Sequence, residues 1–130
     1  MPQKTAHLRI MNKAVAYLGR YASSRHKLTQ ILQRFATRKL TGYNAQDIAA
    51  AIQQTIDQCS KFGYLDDRQF AVTMAFNQRR LGRSQAAIRH RLRQHALDDD
   101  LIAHALAEAD ENRATGDLRA AIRFAQRRRL

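Results

Sequence analysis

Helix-breaking residues are nearly absent from the interior of this chain. Its 130 residues include a single proline, Pro2, and only five glycines. Alanine, glutamine, leucine and arginine dominate, and all four favour helices. No stretch alternates apolar and polar residues as a half-buried strand does. We therefore predict an all-α fold of seven helices.

Apolar residues recur at helical spacing along each predicted helix, so each helix has a predicted buried face. These faces are Leu8, Met11, Val15, Leu18 and Ala22 in the first helix (8–22); Leu28, Ile31, Leu32 and Phe35 in the second; Ile48, Ile52, Ile56, Cys59 and Phe62 in the third; Phe70, Met74, Asn77, Gln78 and Leu81 in the fourth; Ile88, Leu92 and Ala96 in the fifth; and Leu101, Ile102, Ala105, Leu106 and Ala109 in the sixth. The later helices are preceded by residues that cap N-termini: Ser23 or Ser24, Asn44, Asp66 or Asp67, Ser84, Asp98 and Asp117.

The segment from Phe62 to Ala71 joins two helices with almost no loop between them. Gly63 can adopt the left-handed conformation that ends a helix, and the aspartates suit the start of the next one. An apolar Leu65 inside so tight a turn indicates a side chain inserted into the core. We expect Leu65 and Phe70 to be buried at a seam between repeats.

Two segments of the chain carry the same pattern, which indicates an internal repeat. Ser24-x-x-x-Leu28-x-x-x-Leu32 matches Ser84-x-x-x-Ile88-x-x-x-Leu92, and Asp47-Ile48-x-x-x-Ile52 corresponds to Leu101-Ile102-x-x-x-Leu106. We predict three-helix repeats over 8–66 and 67–116, with the first helix of an incomplete third repeat over 117–130. Such modules stack on their neighbours, so we expect an elongated, curved monomer.

Charge is strongly basic and unevenly distributed. The net charge is +12, no acid precedes Asp47, and six arginines without an acid lie between Gln69 and Leu97. Residues 98–117 carry seven acids, which predicts a separate acidic patch. Basic blocks favour contact with phosphate or a nucleoprotein, although a solvated surface is the alternative. The predicted contact residues are Lys27, Arg34, Arg79, Arg80, Arg83, Arg89, Arg93, Arg127, Arg128 and Arg129.

Several motifs together resemble the RecX regulatory proteins, which modulate the RecA recombinase. The central one is Gly63-Tyr64-Leu65-Asp66-Asp67-x-x-Phe70-Ala71, followed by Arg79-Arg80-x-Gly82 and by Asp98-x-x-Leu101-Ile102-x-x-Ala105-Leu106. Upstream, Ala16-Tyr17-Leu18-x-x-Tyr21-x-Ser23 is similar to the opening helix of that family. The third repeat is shorter than in the family, and the loop 37–43 is longer.

The resemblance implies binding to a RecA filament on single-stranded DNA, with depressed ATPase and strand-exchange activity and a role in DNA repair and the SOS response. A stand-alone helical DNA- or RNA-binding protein is the alternative. The sequence has no phosphate loop, nucleophile elbow or metal-ligand spacing, so we expect no enzyme activity and no cofactor. The apolar windows are too short to span a membrane, and the lone Cys59 cannot form an internal disulfide, so we expect a cytoplasmic protein.

Overall fold

The chain is all-α. The computed structural model describes residues 3–114 and the side chains of residues 5–112, and this part contains six helices and no strand. The helices are α1 (Gln3–Leu18), α2 (Arg25–Lys39), α3 (Ala45–Lys61), α4 (Asp67–Arg80), α5 (Gln85–Arg93) and α6 (Asp99–Ala114). The predicted seventh helix with its cap Asp117 lies outside the described residues.

The helices group into two units, Met1–Leu65 and Asp66–Leu130. In the first unit α1 packs mainly against α3, and α2 contacts both. In the second unit α4 packs mainly against α6, and α5 contacts both. Each unit has its own core. The first is built around Ile10, Leu28 and Leu32, and the second around Ile88, Leu92 and Ile102.

Helix N-termini lie where the polar residues predict them, because capping is a local interaction. Ser24 accepts a hydrogen bond from the Lys27 amide at 3.1 Å, and Ser84 accepts one from the Ala87 amide at 3.1 Å. The other capping side chains, Asn44, Asp66 and Asp98, accept from the amides of Gln46, Gln69 and Leu101. The capping predictions for these five helices are confirmed.

The predicted face of the first helix was wrong in part: Leu18 is buried and Met11 packs against the core, whereas Leu8 and Val15 are exposed. α1 ends at Leu18, before Ala22, and its buried side chains are Ala6, Ile10, Ala14 and Leu18. Leu8 and Val15 are 60% and 50% exposed. Alanines are small enough to let helices approach closely, and α1 therefore buries its alanine-rich face against α2 and α3.

The predicted face of α4 was wrong, because α4 packs against α6 with a neighbouring set of residues. The buried residues are Ala71, Val72, Thr73, Ala75 and Phe76, while Phe70, Met74, Asn77 and Gln78 are half-buried. Three further residues predicted to face the core are exposed: Phe62, Leu81 and Ala96. Each stands at or just beyond a helix end, where the helical spacing no longer determines the side-chain direction.

Candidate functional site

Arg79 is paired within its own unit, contrary to the predicted exposed basic face. Its Nε donates to Asp110 Oδ1 at 3.0 Å, and the two side chains are 30% and 38% exposed. Asp110 belongs to α6, the helix against which α4 packs most extensively. Arg79 is therefore directed at an internal carboxylate and is a poor candidate for an external anion.

Two more arginines of the second unit face carboxylates of α6. Arg93 Nε lies 3.2 Å from Asp99 Oδ1, and a nitrogen of Arg68 lies 3.8 Å from Glu108 Oε2. Both pairs are largely exposed, so solvent and salt weaken them. Packing thus places three acids of α6 beside arginines, whereas Asp100 and Glu111 form no ion pair among the described residues.

In the second unit, three predicted contact residues form no ion pair with any described residue: Arg80, Arg83 and Arg89. Arg80 and Arg83 are exposed around the turn that ends α4, and Arg89 is half-buried on α5. Gly82, with a φ of 81°, forms this turn. Fewer arginines of this unit are therefore available for an external ligand than the six between Gln69 and Leu97 predict.

The predicted basic residues of the first unit lie on α2. Lys27 is half-buried, and Arg34 is exposed. Arg34 borders an open groove of about 700 Å³, which is lined by Lys13, Tyr17, Gln30, Ile31, Gln33, Arg34, Thr37 and Arg38. The predicted contact residues include neither Arg38 nor Lys13. The available signal was the one-turn spacing of Lys13 and Tyr17 on α1, and of Arg34 and Arg38 on α2.

Tyr17 lines this groove, and its ring contacts the ring of Tyr21. The rings of Tyr17 and Tyr21 are 5.0 Å apart between centroids and tilted by 40°. Burial, with a smaller contribution from Tyr21, raises the pKa of the Tyr17 phenol, so it stays protonated and neutral at physiological pH. Tyr21 is 55% exposed. An exposed aromatic surface thus lies next to a basic groove.

The junction between the units has the predicted backbone. Gly63 has a φ of 81°, and the amides of Tyr64 and Leu65 donate to the Cys59 carbonyl oxygen at 2.8 and 3.2 Å. Leu65 is buried in the core of the first unit. Phe70 is only half-buried and contacts His95 in the second unit, with ring centroids 4.7 Å apart. The predicted burial of Leu65 is therefore confirmed, and that of Phe70 was wrong.

Neither the cysteine nor the histidines form a reactive cluster in the described part of the chain. Cys59 is buried in the first core, and burial raises the pKa of its thiol, which disfavours the nucleophilic thiolate. No three His, Cys, Asp or Glu side chains between residues 5 and 112 are arranged to hold a metal ion. None of the described helices is both long and apolar enough to cross a membrane. The predicted contacts Arg127, Arg128 and Arg129 lie outside the described residues.

These features define a class of protein, an all-α chain with basic surfaces in both of its helical units. Comparison with known proteins narrows that class. The chain is 28% identical over 131 residues to the "Regulatory protein RecX" of Myxococcus xanthus (strain DK1622), a match that covers 99% of this chain and 69% of that protein. No family model matches the chain, and no solved structure does. The similarity supports a RecX-like relationship.

Proposed function

We propose that this protein regulates a RecA-type recombinase. It binds the recombinase filament on single-stranded DNA and lowers its ATPase and strand-exchange activity, and so acts in DNA repair and the SOS response. The single observation that carries the proposal is the similarity to a protein named Regulatory protein RecX over nearly the whole chain. The proposal further holds that the protein is a cytoplasmic monomer without enzyme activity of its own.

The charge distribution supports a regulator that binds a nucleoprotein. A filament presents both phosphate groups and protein surfaces, and the chain carries exposed arginines that no described acid neutralises. A protein bound to a filament changes ATP turnover only if it binds one filament state more tightly than another. The proposed regulation is therefore a shift between filament states, and it needs no catalytic group.

The test is the single-stranded-DNA-dependent ATPase of the host recombinase, titrated with this protein. We expect ATP turnover to fall as the protein is added. Repeating the titration at higher DNA concentration is the control, because an effect that disappears with excess DNA indicates competition for DNA. Unchanged turnover at micromolar excess, together with tight binding to naked DNA, would refute the recombinase proposal.

A further inference from the structure

The groove between α1 and α2 brings together three basic side chains and has no acid among its lining residues. Residues 1–65 contain ten lysines and arginines and two aspartates. Asp57 is bonded to Arg25 at 2.9 Å and to Gln53 at 3.1 Å. Asp47 is in the first turn of α3, where the helix dipole stabilises it. Arg34 and Arg38 make no ion pair among the described residues.

Both walls of the groove contribute charge. Lys13 reaches from α1 towards α2, where its Nζ lies 5.9 Å from the centroid of the Phe35 ring. Arg34 and Arg38 stand one turn apart on α2, about 6 Å along the helix axis. That separation is comparable with the spacing of successive phosphates in a nucleic-acid strand. Guanidinium groups bind phosphate or carboxylate through two parallel hydrogen bonds, so these positions suit an anionic ligand.

The remaining lining residues favour a single strand over a duplex or a small molecule. Gln30, Gln33 and Thr37 provide neutral hydrogen-bonding groups, while Tyr17 provides an aromatic ring. Stacking on tyrosine requires an unpaired base, because the bases of a duplex are covered by their neighbours. Three of the eight residues lining this groove are cationic, which favours an anionic ligand over a neutral small molecule.

We infer that the α1–α2 groove binds single-stranded nucleic acid directly, with Lys13, Arg34 and Arg38 on the phosphates and Tyr17 and Tyr21 against the bases. The inference does not depend on the recombinase. It assigns the nucleic-acid contact of the first unit to residues of which only Arg34 is among the predicted contact residues. An acidic protein segment is the other ligand of matching charge, but it has no planar bases to stack on the tyrosines.

The test is fluorescence anisotropy of the full chain with a labelled oligothymidylate, without recombinase, over a range of salt concentrations. Each lost phosphate contact to a single strand reduces the slope of log K against log salt by about 0.7. We therefore expect the Arg34→Gln/Arg38→Gln variant to bind more weakly, with a slope smaller by about 1.4. The matched control Lys39→Gln/Lys61→Gln removes two exposed charges of the same unit outside the groove, and its slope should equal that of the wild type.

Tyr17→Leu keeps an apolar side chain in place but removes the ring. We expect its affinity for the oligonucleotide to fall by about fivefold or more, since stacking on one base contributes on the order of that factor. Circular dichroism establishes that each variant keeps its helices. An unchanged slope in Arg34→Gln/Arg38→Gln would overturn the inference. So would competition by a polyglutamate peptide or a duplex as effective as that by the unlabelled single strand.

Discussion

At the scale of single residues, helix packing pairs some of the clustered arginines with acids and leaves others exposed. Arg79 and Arg80 are neighbours in the chain, yet Arg79 bonds Asp110 and Arg80 is exposed without an ion pair among the described residues. The difference arises because neighbouring residues of a helix point about 100° apart. A run of like charges therefore contains residues with different roles.

This difference predicts different effects of two adjacent substitutions on stability. Arg79→Ala removes a partly buried ion pair and should lower the free energy of unfolding by about 1 kcal/mol. Arg80→Ala, the matched control, should change it by less than about 0.5 kcal/mol. Urea denaturation followed by circular dichroism measures both values. Equal effects of the two substitutions would contradict the structural role of the Arg79–Asp110 pair.

At the scale of elements, the ends of the helices depend on a few residues whose backbone or side chain suits the terminus. Gly63 and Gly82 both have a φ of 81° and stand where α3 and α4 end. No neighbouring atom lies within 4 Å of a Cβ added at either position. Only the backbone conformation therefore requires glycine there.

Gly63→Ala is predicted to destabilise the protein by about 1–2 kcal/mol, the cost of the left-handed conformation for a residue with a Cβ. Gly19→Ala is the control, since φ is not in the left-handed region there and an added Cβ meets nothing closer than the Val15 carbonyl oxygen at 3.4 Å. Its effect should stay within about 0.5 kcal/mol. Thermal unfolding monitored by circular dichroism compares them. A Gly63→Ala variant as stable as the wild type would contradict this account of the junction.

At the scale of the whole molecule, the two units differ in how much of their charge is neutralised. The first carries ten basic residues and two acids, whereas the second carries thirteen basic residues and nine acids. In the second unit, α6 supplies the acids of all three described ion pairs. Of the predicted contact residues described in this unit, Arg80, Arg83 and Arg89 remain available, because none of them forms an ion pair among the described residues.

These available arginines are the ones to test against the recombinase. Arg80→Glu/Arg83→Glu should raise the concentration needed for half-maximal ATPase inhibition by about fivefold or more, if each contact is worth about 0.5–1 kcal/mol. Reversing Arg93 would be less informative, because the new carboxylate would also repel Asp99. Lys39→Glu/Lys61→Glu changes the net charge equally and is the control. Equal inhibition by both variants would argue against a filament contact at Arg80 and Arg83.

Sequence alone determined the helical class of this protein, the capping residues and the turn at Gly63. These features depend on interactions between residues a few positions apart, so they can be predicted from the sequence. It also placed Leu65 in a core, because an apolar side chain in so short a turn has few other environments. Its burial is confirmed, with 4% of the side chain exposed.

Only the tertiary structure decided which face of α1 and α4 is buried. Leu8 and Val15 follow the helical spacing as well as Ile10 and Ala14 do, and the packing of α2 and α3 against α1 selects the second set. The same holds for charge. Arg79 and Asp110 are 31 residues apart in sequence, and the α1–α2 groove combines side chains from two helices. Contacts between distant segments depend on how helices pack, and helical periodicity does not predict that packing.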